Sequence, residues 1–128
     1  MSTVKKFIVV DDDNINNMLC SFIIETVYTD AAIISFTRPT EALTYIEQEY
    51  NTKDGNALLF LDINMPIMNG WEFMEAFEKF SDLIKEHISV YIVSSSVDTR
   101  DKEKADANPL IKGFFSKPLD QEIIAAIA

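Results

Sequence analysis

The sequence lacks most of what a disulfide-stapled, membrane-spanning or nucleic-acid-binding protein would need. It contains a single cysteine, Cys20, so no internal disulfide can form. No apolar run approaches the roughly 20 residues of a transmembrane helix, and the amino terminus lacks the apolar stretch of a signal peptide. Acidic residues outnumber basic ones by 21 to 11, whereas binding to a phosphate backbone requires a basic surface. We therefore expect a cytoplasmic protein that contacts neither membranes nor nucleic acids directly.

Short apolar runs alternate with helix-forming segments along the whole chain. The predicted strands are Phe7–Val10, Ala31–Phe36, Leu58–Leu61, Ser89–Val93 and Ile111–Phe115. A helix is predicted after each strand, with Pro39 placed to start the second helix and Pro109 to end the fourth. Strands alternating with helices predict a parallel sheet covered on both faces. We expect a single α/β domain, residues 1–128, with a doubly wound, flavodoxin-like sheet of five strands in the order 2-1-3-4-5.

Helical spacing of apolar residues predicts which faces pack on the sheet. The expected core face of the first helix consists of Ile15, Met18, Leu19, Phe22, Ile23 and Val27. Cys20 lies beside that face and is expected to be a packing residue. A third helix after Gly70 carries Phe73, Phe77 and Phe80 at the same spacing. His87 is expected at the surface, in a loop before the fourth strand.

Charged and hydroxyl side chains stand where the predicted strands end. Asp11 and Asp12 follow the first strand, Asp62 the third, Ser94 the fourth and Lys117 the fifth. Because the loops after parallel strands open on the same edge of the sheet, these side chains should meet there.

Such a cluster suits phosphoryl transfer. Carboxylates in one cleft repel one another, so the cleft should hold an extra proton or a cation. Oxygen ligands without histidine or cysteine favour Mg²⁺, with Mn²⁺ as the other possible ion, over Zn²⁺. The ammonium and hydroxyl groups suit phosphoryl oxygens, and a carboxylate can form an aspartyl phosphate. The residues indicate Mg²⁺-assisted phosphoryl transfer onto a carboxylate, with Asp62, the most central one, as the acceptor.

Several short motifs at these strand ends occur together. They are Val10-Asp11-Asp12, Leu61-Asp62-Ile63-Asn64-Met65-Pro66, Asn69-Gly70, Ser94 and Lys117-Pro118. With them the sequence resembles a receiver domain of two-component response regulators over essentially the whole chain. The resemblance implies a signalling switch rather than an enzyme acting on external substrates, and because no linker or output domain follows, we expect a stand-alone receiver. Its partners would be a sensor histidine kinase or histidine phosphotransfer domain, and a downstream protein or a further member of a phosphorelay.

The resemblance also implies a role for each site residue. Asp62 would receive the phosphoryl group. Asp12 and Asp62 would ligate Mg²⁺ together with the backbone carbonyl of Asn64, and Asp11 would hold the ion through a water molecule. Lys117 would pair with Asp62 before phosphorylation and with the phosphoryl oxygens afterwards.

A switch follows from the same resemblance. The hydroxyl of Ser94 would bond the new phosphoryl group while Phe114 turns inward, which would alter the face formed by the fourth helix, fifth strand and fifth helix. Those two helices are short in this sequence, so we do not expect the dimerisation that the family often shows there. A cis peptide bond is expected before Pro118. Ser95 and Ser96 are expected to line the entrance of the site.

Three other functions stay open. A phosphatase with an aspartyl-phosphate intermediate would have a second aspartate where Asn64 stands. A receiver-fold module that binds its partner without phosphorylation would normally lack one of the acidic residues or the lysine, and all of them are present. A flavodoxin-like electron carrier would need a hydroxyl-rich loop after the first strand, where aspartates would instead repel a flavin phosphate.

Overall fold

A computed structural model describes residues 4–50, 53, 55–95 and 98–127. The strands of the described chain are β1 (Val4–Val10), β2 (Ala32–Phe36), β3 (Asn56–Leu61), β4 (Ile88–Ser94) and β5 (Ile111–Ser116). Its helices are α1 (Asn14–Val27), α2 (Pro39–Gln48), α3 (Gly70–Phe77), α4 (Asp82–His87), α5 (Thr99–Ala107) and α6 (Gln121–Ile127).

The strands pair in parallel in the order β2-β1-β3-β4-β5, which confirms the predicted fold. This order makes β1 and β3 neighbours at the centre of the sheet. The pairing continues one residue beyond them, since the N–H of Asp62 donates to the carbonyl of Val10 at 2.9 Å and the N–H of Asp11 donates to the carbonyl of Phe36 at 3.1 Å. Asp11 and Asp62, two of the predicted site residues, therefore lie side by side at the carboxyl ends of β1 and β3.

The sheet is covered on both faces by hydrophobic cores. On one face α1 and α6 pack over a core that contains Phe7 and Phe60. On the other face α2, α3, α4 and α5 pack over a core that contains Phe73 and Phe77. Every residue of β3 from Ala57 onward is buried. From Ala57 to Leu61 the central strand is apolar and buried, and its charged group follows only at Asp62, as the apolar run Leu58–Leu61 predicts.

The predicted third helix is divided in the structure. α3 ends at Phe77, and Ser81 then starts α4 by accepting a hydrogen bond of 3.3 Å from the N–H of Ile84. The prediction that His87 lies in a loop was also wrong. His87 is the last residue of α4, and its Nδ1 is 2.8 Å from the carbonyl oxygen of Leu83.

The face of α1 that the sequence assigned to the core is largely exposed. The exposed fractions are 67% for Ile15, 65% for Met18, 50% for Leu19 and 59% for Phe22. These four residues are called the α1 stripe below. Ile23 and Val27 are half-buried, and the side facing the sheet is centred on Asn17, Cys20 and Ile24. Because α1 is apolar around most of its circumference, periodicity could not identify the buried side.

The helices that flank β5 are short, as predicted. Among the nine residues of α5, all of which are described, only Ala105 is buried. In α6, which has seven residues, Ile124 is the buried one. Of the helices in the described parts of the chain, none combines the length and apolar character needed to cross a membrane.

Candidate functional site

The ends of β1, β3, β4 and β5 bring the predicted side chains together at one edge of the sheet. Carboxylate oxygens of Asp11, Asp12 and Asp62 lie within 4.8 Å of one another. The Nζ of Lys117 is 2.5 Å from Oδ2 of Asp11 and 3.4 Å from Oδ1 of Asp62. The backbone N–H of Lys117 donates to the carbonyl of Ser94 at 2.9 Å, which extends the pairing of β4 and β5 into the site.

The carboxylates differ in their surroundings. Asp11 and Asp62 are both 5% exposed, whereas Asp12 is exposed. Both oxygens of Asp11 are engaged, because Oδ1 accepts from the N–H of Asp13 at 2.9 Å and Oδ2 accepts from Lys117. The resemblance predicts that Lys117 pairs with Asp62, but the nearest partner of Lys117 is Asp11. The longer contact leaves Asp62 the less firmly paired of the two buried carboxylates.

This environment changes the protonation of both partners. Burial raises the pKa of Asp62 to about 6, and the charge of Asp11 adds to the rise, while Lys117 and the backbone N–H of Asn64 oppose it. Burial lowers the pKa of Lys117, but its hydrogen bond to Asp11 and the charge of Asp62 more than compensate, so that the net shift is upward. At neutral pH Lys117 therefore carries its ammonium charge, and Asp62 lies close to the pH at which it takes up a proton.

The donor set fits a hard divalent cation. Three carboxylates facing one ammonium leave an excess of negative charge in a largely buried cleft. Cys20 lines the same cleft, but burial, together with the charge of Asp11, raises the pKa of its thiol to about 12. Because the thiol stays protonated, the available ligands are oxygens, which Mg²⁺ and Mn²⁺ prefer.

The loop from β3 to α3 folds back onto the central aspartate. The N–H of Gly70 donates to the carbonyl of Ile63 at 2.8 Å. Asn69 caps α3 by accepting from the N–H of Glu72 at 2.9 Å, and its own N–H donates to the Glu72 carboxylate at 3.0 Å. This reciprocal cap fixes the start of α3, and the bond from Gly70 to Ile63 holds that start beside the backbone of Asp62.

The remaining predicted residues lie around this cluster. Ser94 is fully buried at the end of β4. Phe114 is half-buried on β5 and packs against the core beneath α2 and α3. Ser95 is exposed, and Ser96 lies outside the described residues. The Lys117–Pro118 peptide bond is cis, as the resemblance implied.

One residue at this edge was not singled out from the sequence. The side chain of Asn17, on α1, donates to the carbonyl of Asp11 at 3.0 Å and to that of Phe36 at 3.3 Å. Asn14 and Asn16 stand nearby in the sequence, so its pattern could not show which amide would be buried.

Comparison with known proteins gives consistent matches. Residues 7–128 match the family model described as the response regulator receiver domain. The crystal structure of a two component response regulator from Cytophaga hutchinsonii superposes with a TM-score of 0.88 at 30% identity, over 98% of this chain and 94% of that chain. A receiver protein from Dyadobacter fermentans gives 0.88 at 24% identity, over 96% and 94%.

A curated relative extends the comparison to a longer protein. The transcriptional regulatory protein FlgR of Helicobacter pylori is 30% identical over 121 residues, which are 94% of this chain and 28% of FlgR. The chain spans less than a third of the length of the curated relatives that it matches.

Proposed function

Because the chain belongs to the response regulator receiver domains of two-component signalling, we propose that Asp62 accepts a phosphoryl group from a phosphohistidine of a partner protein. The observation that carries this proposal is the convergence of Asp11, Asp12 and Asp62 within 4.8 Å, with Lys117 bridging two of them. Carboxylate and ammonium groups in this arrangement suit the positioning and charge neutralisation that phosphoryl transfer requires.

In the proposed reaction a carboxylate oxygen of Asp62 attacks the phosphorus atom of the phosphohistidine. The new O–P bond forms as the P–N bond breaks, and the imidazole nitrogen keeps the bonding electron pair and takes up a proton from solvent. The ammonium of Lys117, already 3.4 Å from Asp62, moves its contact to the phosphoryl oxygens. The N–H of Asn64, which donates to the carboxylate, is placed to orient the attacking group.

The acidic cluster has a second role as the binding site of the divalent cation. Asp12 and Asp62 would ligate Mg²⁺ or Mn²⁺ together with the backbone carbonyl of Asn64, and Asp11 would hold the ion through water. Once bound, the ion supplies positive charge to the phosphoryl oxygens. Lys117 leaves the excess negative charge of the cluster only partly neutralised, which favours this ion.

The output is a change of surface around β5. Ser94 bonds the phosphoryl group, Phe114 turns inward, and the face of α5, β5 and α6 adopts the arrangement that phosphorylation favours. Residues 1–128 act as the receiver unit. Through that face it binds a separate partner, or it relays the phosphate to another histidine.

Intact-protein mass spectrometry after incubation with a small phosphodonor tests this proposal. We expect one phosphoryl adduct on the wild type that requires Mg²⁺ and is lost in Asp62→Ala. Asp30→Ala, which removes an exposed carboxylate away from the cluster, should keep the adduct. Mg²⁺ binding without an adduct would favour the phosphorylation-independent module. Continuous hydrolysis of external phosphate esters would favour the phosphatase.

The α1 stripe is suited to bind the surface of the partner protein that carries the phosphohistidine. Leu19 of the stripe lines the same cleft as Asp62 and Lys117, so a partner seated on α1 reaches the acceptor. Among the 14 residues of α1 only Glu25 is charged, although the chain has a net charge of −10. An apolar, nearly uncharged face beside the acceptor allows a donor to approach without repulsion. We propose that the donor packs an apolar helical surface against it.

The double variant Met18→Ser and Phe22→Ser tests this docking surface. Phosphoryl transfer from the phosphorylated histidine domain that serves as donor should fall at least tenfold in kcat/KM, whereas the rate with a small phosphodonor should stay unchanged. A tenfold loss corresponds to about 1.4 kcal/mol, which two exposed apolar contacts can supply. Leu83→Ser removes an exposed apolar side chain from α4 and should change neither rate. Equal losses with both donors would show that the double variant damages the site itself.

A further inference from the structure

Asn17 is a buried amide that the proposed reaction does not use directly. Only 1% of its surface is exposed. Its Nδ2 donates to the carbonyl of Asp11 at 3.0 Å, at the end of β1, and to the carbonyl of Phe36 at 3.3 Å, at the end of β2. A single side chain thus connects α1 to the backbone of two strands, at the point where the chain enters the acidic cluster.

The contact with Asp11 controls an entire peptide group. The N–H and both carboxylate oxygens of Asp11 are held by Phe36, Asp13 and Lys117, and its carbonyl is held by Asn17. Because a peptide unit is planar, fixing this carbonyl also fixes the N–H of the next residue. The next residue is Asp12, so Asn17 sets the direction in which Asp12 leaves the backbone.

The amide oxygen of Asn17, unlike its nitrogen, forms no hydrogen bond with the described residues. This oxygen, Oδ1, is buried. An unsatisfied buried oxygen is destabilising, and a leucine of similar size would not carry it. Rotating the amide would not help, because Oδ1 would then face the carbonyl oxygens of Asp11 and Phe36. The amide is therefore poorly explained by folding stability alone.

We propose that Asn17 is a positioning residue for the site, which holds the peptide between Asp11 and Asp12 so that both carboxylates face the divalent cation. This inference rests on the proposed function, since it concerns the same cation and the same phosphoryl acceptor. Replacing a residue that orients the metal ligands through hydrogen bonds typically lowers metal affinity by about 10- to 100-fold. The replacement of Asn17 should therefore weaken Mg²⁺ binding more than it weakens the fold.

Calorimetric titration with Mg²⁺ alone, on the full chain and well below the melting temperature of every variant, tests this inference. For Asn17→Leu we expect a Kd for Mg²⁺ about tenfold higher. Its melting temperature in Mg²⁺-free buffer should lie within about 4 °C of the wild type, because the lost hydrogen bonds are offset by the removal of the buried oxygen and by added apolar contact. The Mg²⁺ concentration that gives half-maximal phosphorylation by a small phosphodonor should rise by the same factor.

Two further variants keep the test decisive. Asn17→Ala cannot overpack the helix, so it should show the same loss of Mg²⁺ affinity even if leucine does not fit. Asn14→Ala removes an exposed amide from the same helix and should leave the Kd unchanged. A wild type that does not bind Mg²⁺ would refute the proposed function itself. If the wild type binds Mg²⁺ and both folded Asn17 variants bind it equally well, only the positioning role is refuted.

Discussion

Replacement of Asp62 by asparagine should make the folded protein markedly more stable in Mg²⁺-free buffer at neutral pH. Burial and the neighbouring charge of Asp11 raise the pKa of Asp62 from 3.8 to about 6, so the folded state disfavours the ionised carboxylate. Since one pKa unit corresponds to about 1.4 kcal/mol, removing this charge should stabilise the fold by about 2–3 kcal/mol, or roughly 10 °C in melting temperature.

The gain should depend on pH in a defined direction. Because the folded protein binds the proton of Asp62 more tightly than the unfolded chain does, the protonated group favours the folded state. This contribution is fully present below the ordinary pKa of 3.8 and is lost as the pH rises through about 6. The difference in folding stability between Asp62→Asn and wild type should therefore be small near pH 3.8 and largest above about pH 6.

Thermal unfolding of both proteins across this pH range, with and without Mg²⁺, measures the effect. Mg²⁺ should reduce the difference, because binding to the folded wild type stabilises it. Asp12→Asn is the matched control, and its gain should be smaller because Asp12 is exposed and solvent screens its charge. An Asp62→Asn variant that melts at or below the wild-type temperature in Mg²⁺-free buffer at neutral pH would contradict the assigned repulsion.

Replacement of Gly70 by alanine should have a comparably large effect in the opposite direction. A Cβ atom at Gly70 would lie 2.9 Å from the carbonyl oxygen of Asp62 and 3.0 Å from Cα of Ile63. Both are backbone atoms, so this steric overlap can be relieved only by moving the loop that carries the phosphoryl acceptor. Alanine is the better helix former, and helix propensity alone would predict stabilisation at the start of α3. We expect steric overlap to dominate and the free energy of unfolding to fall by about 2–3 kcal/mol.

Gly113→Ala provides a matched comparison within β5. A Cβ there would lie 3.0 Å from Cδ1 of Tyr91 and 3.2 Å from ring atoms of Phe115. These are side-chain atoms that can tilt away, so the loss of stability should be less than half that of Gly70→Ala. Denaturant unfolding compares the two variants, and phosphorylation by a small phosphodonor should slow only in Gly70→Ala. Equal stability losses would mean that the backbone of Asp62 moves more easily than its contacts suggest.

Asp62→Asn and Gly70→Ala both test how the fold holds an unfavourable charge at the site, and they should change folding stability in opposite directions. Asp62 is held in a cleft where its charge is unfavourable, and Gly70 allows the backbone of α3 to approach closely enough to keep it there. Folding stability is thus lowered locally at the residue that we propose to be phosphorylated. A bound cation or a phosphoryl group contacted by Lys117 would change this balance, which is what a switch between two arrangements requires.

Much of the architecture could be predicted from sequence because it depends on local patterns. The apolar run before Asp62 predicted a central strand buried on both faces, and alternation of strands with helices predicted the parallel sheet. The carboxyl ends of parallel strands lie on one edge, so the meeting of the aspartates with Lys117 followed from topology alone. Helix ends were harder to predict, because Ser81 starts a new helix within a segment whose phenylalanine spacing suggests one continuous helix.

The order of strands and helices, and the charged groups that follow the strand ends, could be read from the amino-acid sequence alone. Three features required the folded protein: which side of α1 is buried, that Lys117 lies nearer to Asp11 than to Asp62, and that Asn17 bonds the carbonyl of Asp11. The two groups of features differ because they depend on interactions of different range. Periodicity reports only neighbours along one helix or strand, whereas burial and ion pairing depend on distances between groups that packing alone brings together.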